Sequence, residues 1–415
     1  MNSDLLSDWL IYINSNRPNE GEFGLERLKA IYAEIVKKPL AKKTILIGGT
    51  NGKGTTAEYL KNFFIASGKK VGTYTSPHLI NFNERIKINN IPSSDQEIIK
   101  SFKKVDKIKK KTRLTYFDYA TLSAFDIFSK EDLDIAILEI GIGGKYDPVN
   151  LIDADLSIIT NIELDHEKWL GSSLEEIGQQ KAAILKPNKL AILGSEAMPA
   201  SVISKAKSTC TYYQLNKDFL IQADESGWSY KFPNQEISIG KLSYGNLNIE
   251  SSACAITAFK LFSEEDINFQ SIIENTFLQG RCDEIDNFIL DVSHNPASVK
   301  NLISFLNKNY RGKKFTAIFS SMNEKDNVSI IKEISSLICE WNICSVADNR
   351  FDIASLANLT ESLTDTKVNK VNTVYSAVER GYHEGTPQIV FGSFITVSEA
   401  YKALDKIKKV NREIN

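Results

Sequence analysis

Residues 45–56 of the chain read Ile45-Leu-Ile-Gly-Gly-Thr-Asn-Gly-Lys-Gly-Thr-Thr56, and this stretch decides the fold around it. The apolar run at its start predicts a strand. The glycines that follow allow the backbone to curl and to point its N–H groups inward. Lys53 lies inside this turn, and Thr55 follows where a helix can begin. A helix N-terminus, a lysine and a threonine hydroxyl suit a polyphosphate and its Mg²⁺ ion, so the stretch predicts a phosphate-binding loop.

The spacing of this loop differs from the common G-x-x-x-x-G-K-[ST] phosphate loop. One residue fewer precedes Gly52-Lys53, and Gly54 stands between the lysine and Thr55. A glycine-rich hairpin with an incidental lysine is the alternative interpretation. Because the strand, turn and helix signals agree, the stretch favours binding of ATP or a related nucleotide.

The size and charge of the chain restrict the classes of protein to which it can belong. Its 415 residues exceed one ordinary hydrophobic core, so we expect two domains. The net charge of −2 gives no general attraction to nucleic acid or to an anionic membrane, and we expect neither as a partner. We expect a monomer that binds small molecules.

The cysteines and the apolar runs indicate the compartment. Five widely spaced cysteines with no C-x-x-C pair argue against a disulfide framework and against a zinc site. No apolar run reaches the ~18–20 residues that cross a bilayer, and no signal-peptide pattern is visible at the N-terminus. The sequence therefore predicts a cytoplasmic protein.

Strand-like and helix-like segments alternate along the chain, which predicts an α/β fold with parallel sheets. In the first part, strands are predicted at 44–47, 70–74, 134–139 and 156–160. After residue 287, strands are predicted at 288–291, 315–319, 342–346 and 388–391. We therefore expect a larger domain over residues 1–284 and a smaller one over residues 285–415.

Polar side chains stand at the carboxyl ends of the predicted strands, where ligands of open α/β sheets gather. Glu139 closes one strand and could lie beside the phosphate loop, although a strand-end acid that faces water is the alternative. His166 follows the next strand, as His78 and His294 follow others. Thr55, Glu139 and His166 could hold Mg²⁺, although imidazole is an unusual ligand for so hard an ion.

Two residues near the expected domain boundary could contact a nucleotide. Arg281 follows Gly280 and could reach a phosphate, and Asp291 closes a predicted strand and could accept a ribose hydroxyl.

A series of motifs resembles the folylpolyglutamate synthase and dihydrofolate synthase family, a branch of the Mur ligases. The motifs are G-L-E-R (24–27), G-T-N-G-K-G-T (49–55), T-S-P-H-L (75–79), F-N-E-R-I (82–86), L-E-x-G-x-G-G (138–144), L-D-H (164–166), W-L-G (169–171), K-A-x-I (181–184) and D-x-x-H-N-P (291–296). Beyond the last motif, only the strand–helix rhythm supports the resemblance.

The resemblance implies a P-loop Mur-ligase-type ATP-binding domain followed by a smaller Rossmann-like C-terminal domain. It implies that ATP phosphorylates a carboxylate of a pteridine-linked substrate and that the amino group of L-glutamate attacks the acyl phosphate. The products would be an amide, ADP and phosphate. Dihydropteroate and reduced folates would receive the glutamate, and ATP and Mg²⁺ would be required.

The resemblance also implies roles for individual residues. The ATP-binding residues would be Thr50, Asn51, Gly52, Lys53, Gly54, Thr55, Ser251, Arg281 and Asp291. The Mg²⁺ ligands would be Thr55, Ser76, Glu139, His166 and a carbamylated Lys181. The pterin site would be lined by Glu22, Phe23, Thr115, Tyr116, Phe117, Asp118, Tyr146, Asp147 and Pro148. The catalytic residues would be Lys53, Lys181 and His294.

Five positions depart from the pattern of this family. In the carbamate motif, Gln180 stands for a glutamate, which removes a carboxylate next to Lys181, and Ala183 stands for a glycine. Elsewhere, Lys145 stands for an arginine, Ser251 for an asparagine, and Cys282 for an aromatic residue. These changes affect substrate preference more than the type of reaction.

Other functions stay open at this point. The chain could be a folylpolyglutamate synthase only, a Mur ligase that adds an amino acid to a nucleotide-linked sugar, or a non-catalytic nucleotide-binding paralogue. T-S-P-H-L and the short segment ahead of the loop disfavour the Mur ligase. Retention of Lys53, Glu139 and Lys181 disfavours the paralogue.

Overall fold

The computed structural model describes residues 1, 3–15 and 24–414, with the side chains of 235 and 411–414 excepted. The chain divides into two compact units, Met1–Thr276 and Phe277–Asn415. This division falls ahead of the boundary expected at residue 284. Residues just before 284 pack within the second unit, because the Gly280 amide donates to the Tyr401 hydroxyl at 2.9 Å and Asp283 pairs with Leu290.

The first unit contains alternating helices and strands. Its helices are α1 (Leu6–Ser15), α2 (Glu26–Ile35), α3 (Lys53–Ala66), α4 (Asp95–Ile108), α5 (Tyr116–Phe128), α6 (Glu167–Leu170), α7 (Leu174–Ala182), α8 (Ala200–Thr209), α9 (Ile249–Phe262) and α10 (Phe269–Asn275). Its strands are β1 (Ala41–Gly48), β2 (Val71–Tyr74), β3 (Ile86–Ile88), β4 (Ile91–Pro92), β5 (Leu133–Glu139), β6 (Leu156–Ile159), β7 (Leu190–Leu193), β8 (Thr211–Gln214), β9 (Leu220–Asp224), β10 (Gly227–Phe232) and β11 (Ile237–Leu242).

The main sheet of this unit has the strand order β4-β3-β2-β5-β1-β6-β7-β8. Its strands from β2 to β8 in that order are parallel, as predicted, and β3 and β4 add an antiparallel edge. Strands β9, β10 and β11 form a separate antiparallel sheet that the strand–helix rhythm did not indicate. Short turns join these three strands, and connections of that length permit only antiparallel pairing.

The second unit is built on one further sheet. Its strands are β12 (Asp283–Ile285), β13 (Phe288–Leu290), β14 (Phe315–Phe319), β15 (Ile338–Cys344), β16 (Lys367–Val371) and β17 (Gln388–Phe391), in the order β12-β13-β17-β14-β15-β16. Its helices are α11 (Pro296–Asn309), α12 (Asn327–Ile334), α13 (Ile353–Leu363), α14 (Val374–Glu384) and α15 (Phe394–Ile414). All neighbouring pairs are parallel except β12 with β13.

One predicted strand of this sheet was wrong in its bounds, and strand β16 was not predicted. The strand predicted at 342–346 runs over Ile338–Cys344 instead. Cys339 and Glu340 interrupt its apolar pattern and hid its beginning, while Trp341 and Ile343 are fully buried. The edge strand β16 was missed because its sequence, Lys367–Val371, alternates polar and apolar residues without a buried face.

Each unit has its own hydrophobic core. In the first unit, buried side chains of β1, β2, β5 and β6 pack with those of α4 and α5. In the second unit, residues of α11 and α12 pack on β14, β15 and β17. Among the described residues, each helix is too short or too polar to cross a bilayer.

Candidate active site

The phosphate loop lies between β1 and α3, as predicted. Gly52 precedes the helix with φ +81°, and it carries no side chain that could cap the helix. Gly49 has φ +132°, and a Cβ there would lie 1.9 Å from the Thr160 hydroxyl oxygen. Both positions therefore require glycine. Thr55 is buried in the first turn of α3, next to Lys53.

Residues that follow β6 hold the phosphate loop in place, and sequence reasoning missed them. The Asn51 amide donates to Asn161 Oδ1 at 2.9 Å, and the Thr50 amide donates to the Asn161 carbonyl at 2.9 Å. The Thr160 hydroxyl donates to the Asn51 carbonyl at 2.6 Å. The only signal was their position directly after a predicted strand, at the edge where Glu139 and His166 were also expected.

Two lysines converge on one carbonyl of this loop. Lys53 Nζ donates to the Gly49 carbonyl at 3.2 Å and to the Thr50 carbonyl at 3.1 Å, and Lys181 Nζ donates to the same Gly49 carbonyl at 2.8 Å. Lys181 is buried. Burial, followed by the positive charge of Lys53, lowers the pKa of Lys181 to about 7, against a partial opposing effect of Asp165.

Helix α9 meets the phosphate loop through Ser251, one of the predicted ATP-binding residues. The Ser251 hydroxyl donates to the Gly52 carbonyl at 3.3 Å, and a Cβ on Gly52 would lie 2.8 Å from this hydroxyl. Asn248 caps the helix, accepting from the Ser251 amide at 3.1 Å. The serine thus fits a close contact in which a larger asparagine side chain would need more room.

The predicted metal ligands come from five segments of the first unit, namely helix α3 (Thr55), the turn after β2 (Ser76), the end of β5 (Glu139), the residue before α6 (His166) and helix α7 (Lys181). Glu139 ends β5 with a buried carboxylate that accepts from the Ser76 amide at 3.0 Å. His166 precedes α6 with φ +55°, and its Nε2 lies 3.8 Å from an Asp165 carboxylate oxygen. Within the ranges that the structure describes, no three His, Cys, Asp or Glu side chains form a metal cluster by themselves. A Mg²⁺ ion bound here would therefore need hydroxyl oxygens as well, such as those of Ser76 and Thr55.

Two motifs from the sequence meet where the buried Arg85 contacts the half-buried His78. Arg85 Nε donates to His78 Nδ1 at 2.8 Å, which requires an unprotonated Nδ1. The Arg85 guanidinium also lies over the rings of Phe82 and Tyr116, at 5.7 and 5.5 Å from their centroids. The sequence supplied both motifs but not this contact.

The predicted pterin-site segment begins helix α5. Thr115 caps the helix by accepting from the Asp118 amide at 2.9 Å, and Asp118 accepts from the Thr115 amide at 2.7 Å. The buried Asp118 carboxylate also pairs with Arg27 at 2.6 Å, and Arg27 donates to the Arg113 carbonyl at 3.0 Å. The Thr115 amide and the Arg27 guanidinium thus fix the position of the Asp118 carboxylate. Glu22 and Phe23, which were expected beside it, lie outside the described residues.

Aromatic and acidic residues of three segments come together near Phe117. Its ring lies 6.0 Å from that of Tyr74, and a Cβ on Gly141 would lie 2.7 Å from the Phe117 ring. Asp147 accepts from the amides of Gly141 and Ile142 at 2.9 and 3.1 Å. Burial raises the pKa of Asp147 to about 7, although these backbone amides act in the opposite direction.

The other pterin-site residues differ in exposure. Tyr116 is half-buried, Pro148 is buried, and Tyr146 is 60% exposed with the Lys145 ammonium 5.1 Å from its ring centroid. Tyr146 is therefore the member of this set that offers a large accessible ring.

In the second unit, the Asp291 carboxylate organises its own loop. One oxygen accepts from the Cys282 amide at 2.8 Å and lies 3.4 Å from the Cys282 sulfur. The other accepts from the Ser293 amide at 2.8 Å and from the Ser293 hydroxyl. Burial and the Asp291 charge raise the pKa of the Cys282 thiol, which keeps it a neutral donor.

Arg281 and His294 both contact Phe394, a residue that the sequence did not single out. The Arg281 guanidinium lies 5.5 Å from the centroid of the Phe394 ring, and the His294 ring lies 6.2 Å from it. His294 Nδ1 lies 2.9 Å from the Val292 carbonyl. Because a carbonyl only accepts, Nδ1 carries the hydrogen, and the lone pair of the neutral ring is on Nε2.

These arrangements fit a nucleotide and its metal ion. A bound phosphate can take the capping position that Gly52 leaves at α3, with Lys53 beside it. The carboxylate of Glu139 and the hydroxyls of Ser76 and Thr55 are hard oxygen donors, which Mg²⁺ prefers.

Comparison with known proteins gives the same picture along the chain. The Mur ligase middle domain matches residues 47–259. A dihydrofolate synthase/folylpolyglutamate synthase of Buchnera aphidicola from Schizaphis graminum is 33% identical over 411 residues, which cover 96% of this chain and 97% of the relative. That of Escherichia coli is 30% identical over 416 residues, covering 96% of each chain.

Solved structures agree over nearly the whole length. Escherichia coli FolC in complex with DHPP and ADP has a TM-score of 0.91 at 26% identity, covering 98% of this chain and 100% of that chain. A bifunctional folylpolyglutamate synthase/dihydrofolate synthase with Mn, AMPPNP and L-glutamate bound has a TM-score of 0.86 at 30% identity, covering 96% and 98%.

Proposed function

The chain belongs to the dihydrofolate synthase/folylpolyglutamate synthase family of Mur ligases, and we propose that it joins L-glutamate to dihydropteroate and to reduced folates at the expense of ATP. The family and the α/β fold predicted from the sequence are confirmed. The observation that carries the reaction is the convergence of Lys53 and Lys181 on the Gly49 carbonyl of a preformed phosphate loop.

The first step is transfer of the γ-phosphoryl group. A carboxylate oxygen of the substrate attacks the γ-phosphorus of ATP, and the bond between this phosphorus and the β-phosphate oxygen breaks. The products of this step are an acyl phosphate and ADP. Lys53 and the amides at the start of α3 hold the negative charge that develops on the phosphates. Mg²⁺ offsets the repulsion between the phosphate and carboxylate anions. Thr55, Ser76, Glu139 and His166 are its proposed ligands.

Lys181 supplies a further ligand once it is carbamylated. The ammonium first loses one proton. The neutral amine then attacks CO₂, a C–N bond forms as one C–O π bond opens, and a second proton leaves to solvent, so that a cation becomes an anion. This reaction needs the neutral amine, and a pKa of about 7 provides it near neutral pH. The buried position beside the phosphate loop then places a carboxylate where a cation would otherwise face Lys53.

The second step forms the amide. The amino nitrogen of L-glutamate attacks the acyl carbon, the C–O bond to phosphate breaks, and phosphate and one proton are released. His294 is the proposed acceptor of that proton, because Nε2 carries the lone pair when Nδ1 donates to the Val292 carbonyl. Arg281 is the proposed contact to a phosphate of ATP, and Asp291 is the proposed acceptor of a ribose hydroxyl.

The pterin site is proposed at the start of α5. Phe117 and Tyr146 offer rings for a flat pterin, while Asp118 and Asp147 offer carboxylates to its N–H donors. The reactions with dihydropteroate and with a reduced folate differ only in the position of the reacting carboxylate relative to the pterin. One phosphate-transfer centre therefore serves both reactions.

The test is ADP release by the purified protein with ATP, Mg²⁺ and L-glutamate, comparing dihydropteroate with tetrahydrofolate. We expect release with both, and release about 10²–10³-fold slower with Lys53→Ala. Release with tetrahydrofolate alone leaves a folylpolyglutamate synthase only. Release only with a nucleotide-linked sugar acid assigns a Mur-type ligase, and ADP binding without turnover on any acceptor indicates a non-catalytic paralogue.

The compartment and the assembly state are part of the same proposal. All five cysteines are free thiols, as expected in the reducing cytoplasm. We propose a cytoplasmic monomer without a nucleic-acid partner. Light scattering at working concentration tests the monomer.

A further inference from the structure

One aromatic ring of the second unit contacts two of the proposed functional side chains. The Phe394 ring centroid lies 5.5 Å from the Arg281 guanidinium and 6.2 Å from the His294 ring. We propose that Phe394 is a positioning residue, which holds Arg281 for a phosphate of ATP and His294 for the attacking amine. This inference rests on the proposed function, since that function assigns the two roles.

The backbone before Phe394 can follow one path only. Gly392 has φ +106°, and a Cβ there would lie 2.6 Å from both the Phe319 ring and the Ser320 carbonyl oxygen. The Gly392 amide donates to the Ser293 carbonyl at 2.9 Å, which joins this segment to the loop that carries His294. Only glycine fits at this position, and the hydrogen bond to Ser293 anchors the chain where it leaves β17.

The backbone after Phe394 is fixed equally well. Phe394 is the first residue of α15, and Ser393 accepts from the Thr396 amide at 3.0 Å. The Thr396 hydroxyl donates to the Ser320 carbonyl at 3.0 Å, at the end of β14. Because both sides of the residue are anchored, the ring is presented from a rigid support rather than from a mobile loop.

The Phe394 ring contacts proposed functional side chains and does not belong to the hydrophobic core. Phe319 and Phe391, on the adjacent strands, are fully buried and stack on each other with centroids 4.7 Å apart. Phe394 is half-buried, and its partners are the side chains of Arg281 and His294.

The physical effect of this contact is preorganisation. A free arginine side chain loses considerable rotamer entropy when it is fixed on a phosphate. A guanidinium that already lies on an aromatic face has lost part of that freedom before the phosphate arrives. The same ring limits tilting of His294, whose other edge is fixed by the Val292 carbonyl.

The experiment measures ADP affinity by calorimetry with the full-length protein. We expect Phe394→Leu to weaken ADP binding by about twofold to about thirtyfold, the range of a cation–π contact. In an Arg281→Ala background the same change should have no further effect, because the guanidinium that it supports is gone. Phe394→Tyr keeps the ring and should bind ADP as the parent does.

Two controls separate positioning from a general loss of structure. Tyr310 makes a cation–π contact elsewhere in this unit, with Lys313 Nζ 5.4 Å from the centroid of its ring. Tyr310→Leu removes that contact and should leave ADP affinity unchanged. Thermal unfolding identifies variants that do not fold. If Phe394→Leu is one of them, Phe394→Met, which lacks the ring at a similar volume, takes its place in the cycle.

The outcomes distinguish this inference from the proposed function. Unchanged ADP affinity in the ringless variant, or an equal loss with and without Arg281, overturns the positioning role. If the parent protein binds ADP but forms no ADP from ATP with any pterin substrate, the proposed function is overturned. The ADP-binding measurements on the Phe394 variants can still be interpreted in that case.

Discussion

Removal of CO₂ should inactivate the enzyme, and the pKa of Lys181 predicts the pH range in which activity can be recovered. The pKa of this amine is lowered from 10.5 to about 7. At pH 7 about half of the Lys181 side chains therefore carry a neutral amine, compared with roughly one in 3,000 for a solvent-exposed lysine. Near neutral pH the neutral amine that can react with CO₂ is therefore about a thousandfold more abundant at Lys181 than at a surface lysine.

The assay follows activity after acidification in CO₂-free buffer and return to a series of pH values with bicarbonate. Below pH 7 the amine is protonated and cannot attack CO₂, so recovery should be lost as pH falls through about 7 and complete above it. The midpoint of recovery should lie near pH 7 and far from 10.5.

Two variants serve as controls for this experiment. Lys181→Ala should be inactive, insensitive to bicarbonate and partly restored by acetate, which replaces the missing carboxylate. Lys181→Arg keeps the positive charge but cannot be carbamylated, and it should stay inactive. An active Lys181→Arg, or a fully active parent whose intact mass shows an unmodified lysine, would refute the reasoning.

Other expected outcomes concern the loop, the metal and the buried acid. Lys53→Ala should lower kcat by about 10²–10³-fold, the usual loss for one contact to a developing charge, measured as ADP release. Glu139→Ala and His166→Ala should raise the Mg²⁺ concentration for half-maximal rate; an unchanged Mg²⁺ dependence contradicts the ligand set. The raised pKa of Asp147 contributes stability that is full below pH 3.8 and lost as pH rises through about 7. The stability deficit of Asp147→Asn should therefore shrink between those pH values in thermal unfolding, and a deficit that grows contradicts the assignment.

Local signals in the sequence were sufficient for the elements that carry the phosphate loop. The apolar run before Gly48, the glycines and Lys53 specify strand, turn and helix within a dozen residues, and the structure has all three. The resemblance supplied Lys181 and Ser251, which lie 132 and 199 residues from their loop partners in the chain. No periodicity can indicate contacts over such separations.

The features that sequence reasoning missed are contacts between residues far apart in the chain, or elements without an apolar pattern. Asn161 and Thr160 contact the loop across more than a hundred residues, and only their position at the end of a predicted strand marks them. Phe394 follows a glycine and a serine at the start of a helix, a position that is usually read as a turn. Strand β16 lies at a sheet edge, where burial does not impose an apolar alternation.

The attachment of the phosphate loop to Thr160, Asn161 and Ser251 has a consequence for its motion. The amides of Thr50 and Asn51 are hydrogen-bonded to the segment after β6, so they can exchange with solvent only when that segment opens. Deuterium uptake at these amides should therefore be slow before any nucleotide is added. Addition of ADP should change their uptake little, because the loop already has the order that many glycine-rich loops acquire only with their ligand.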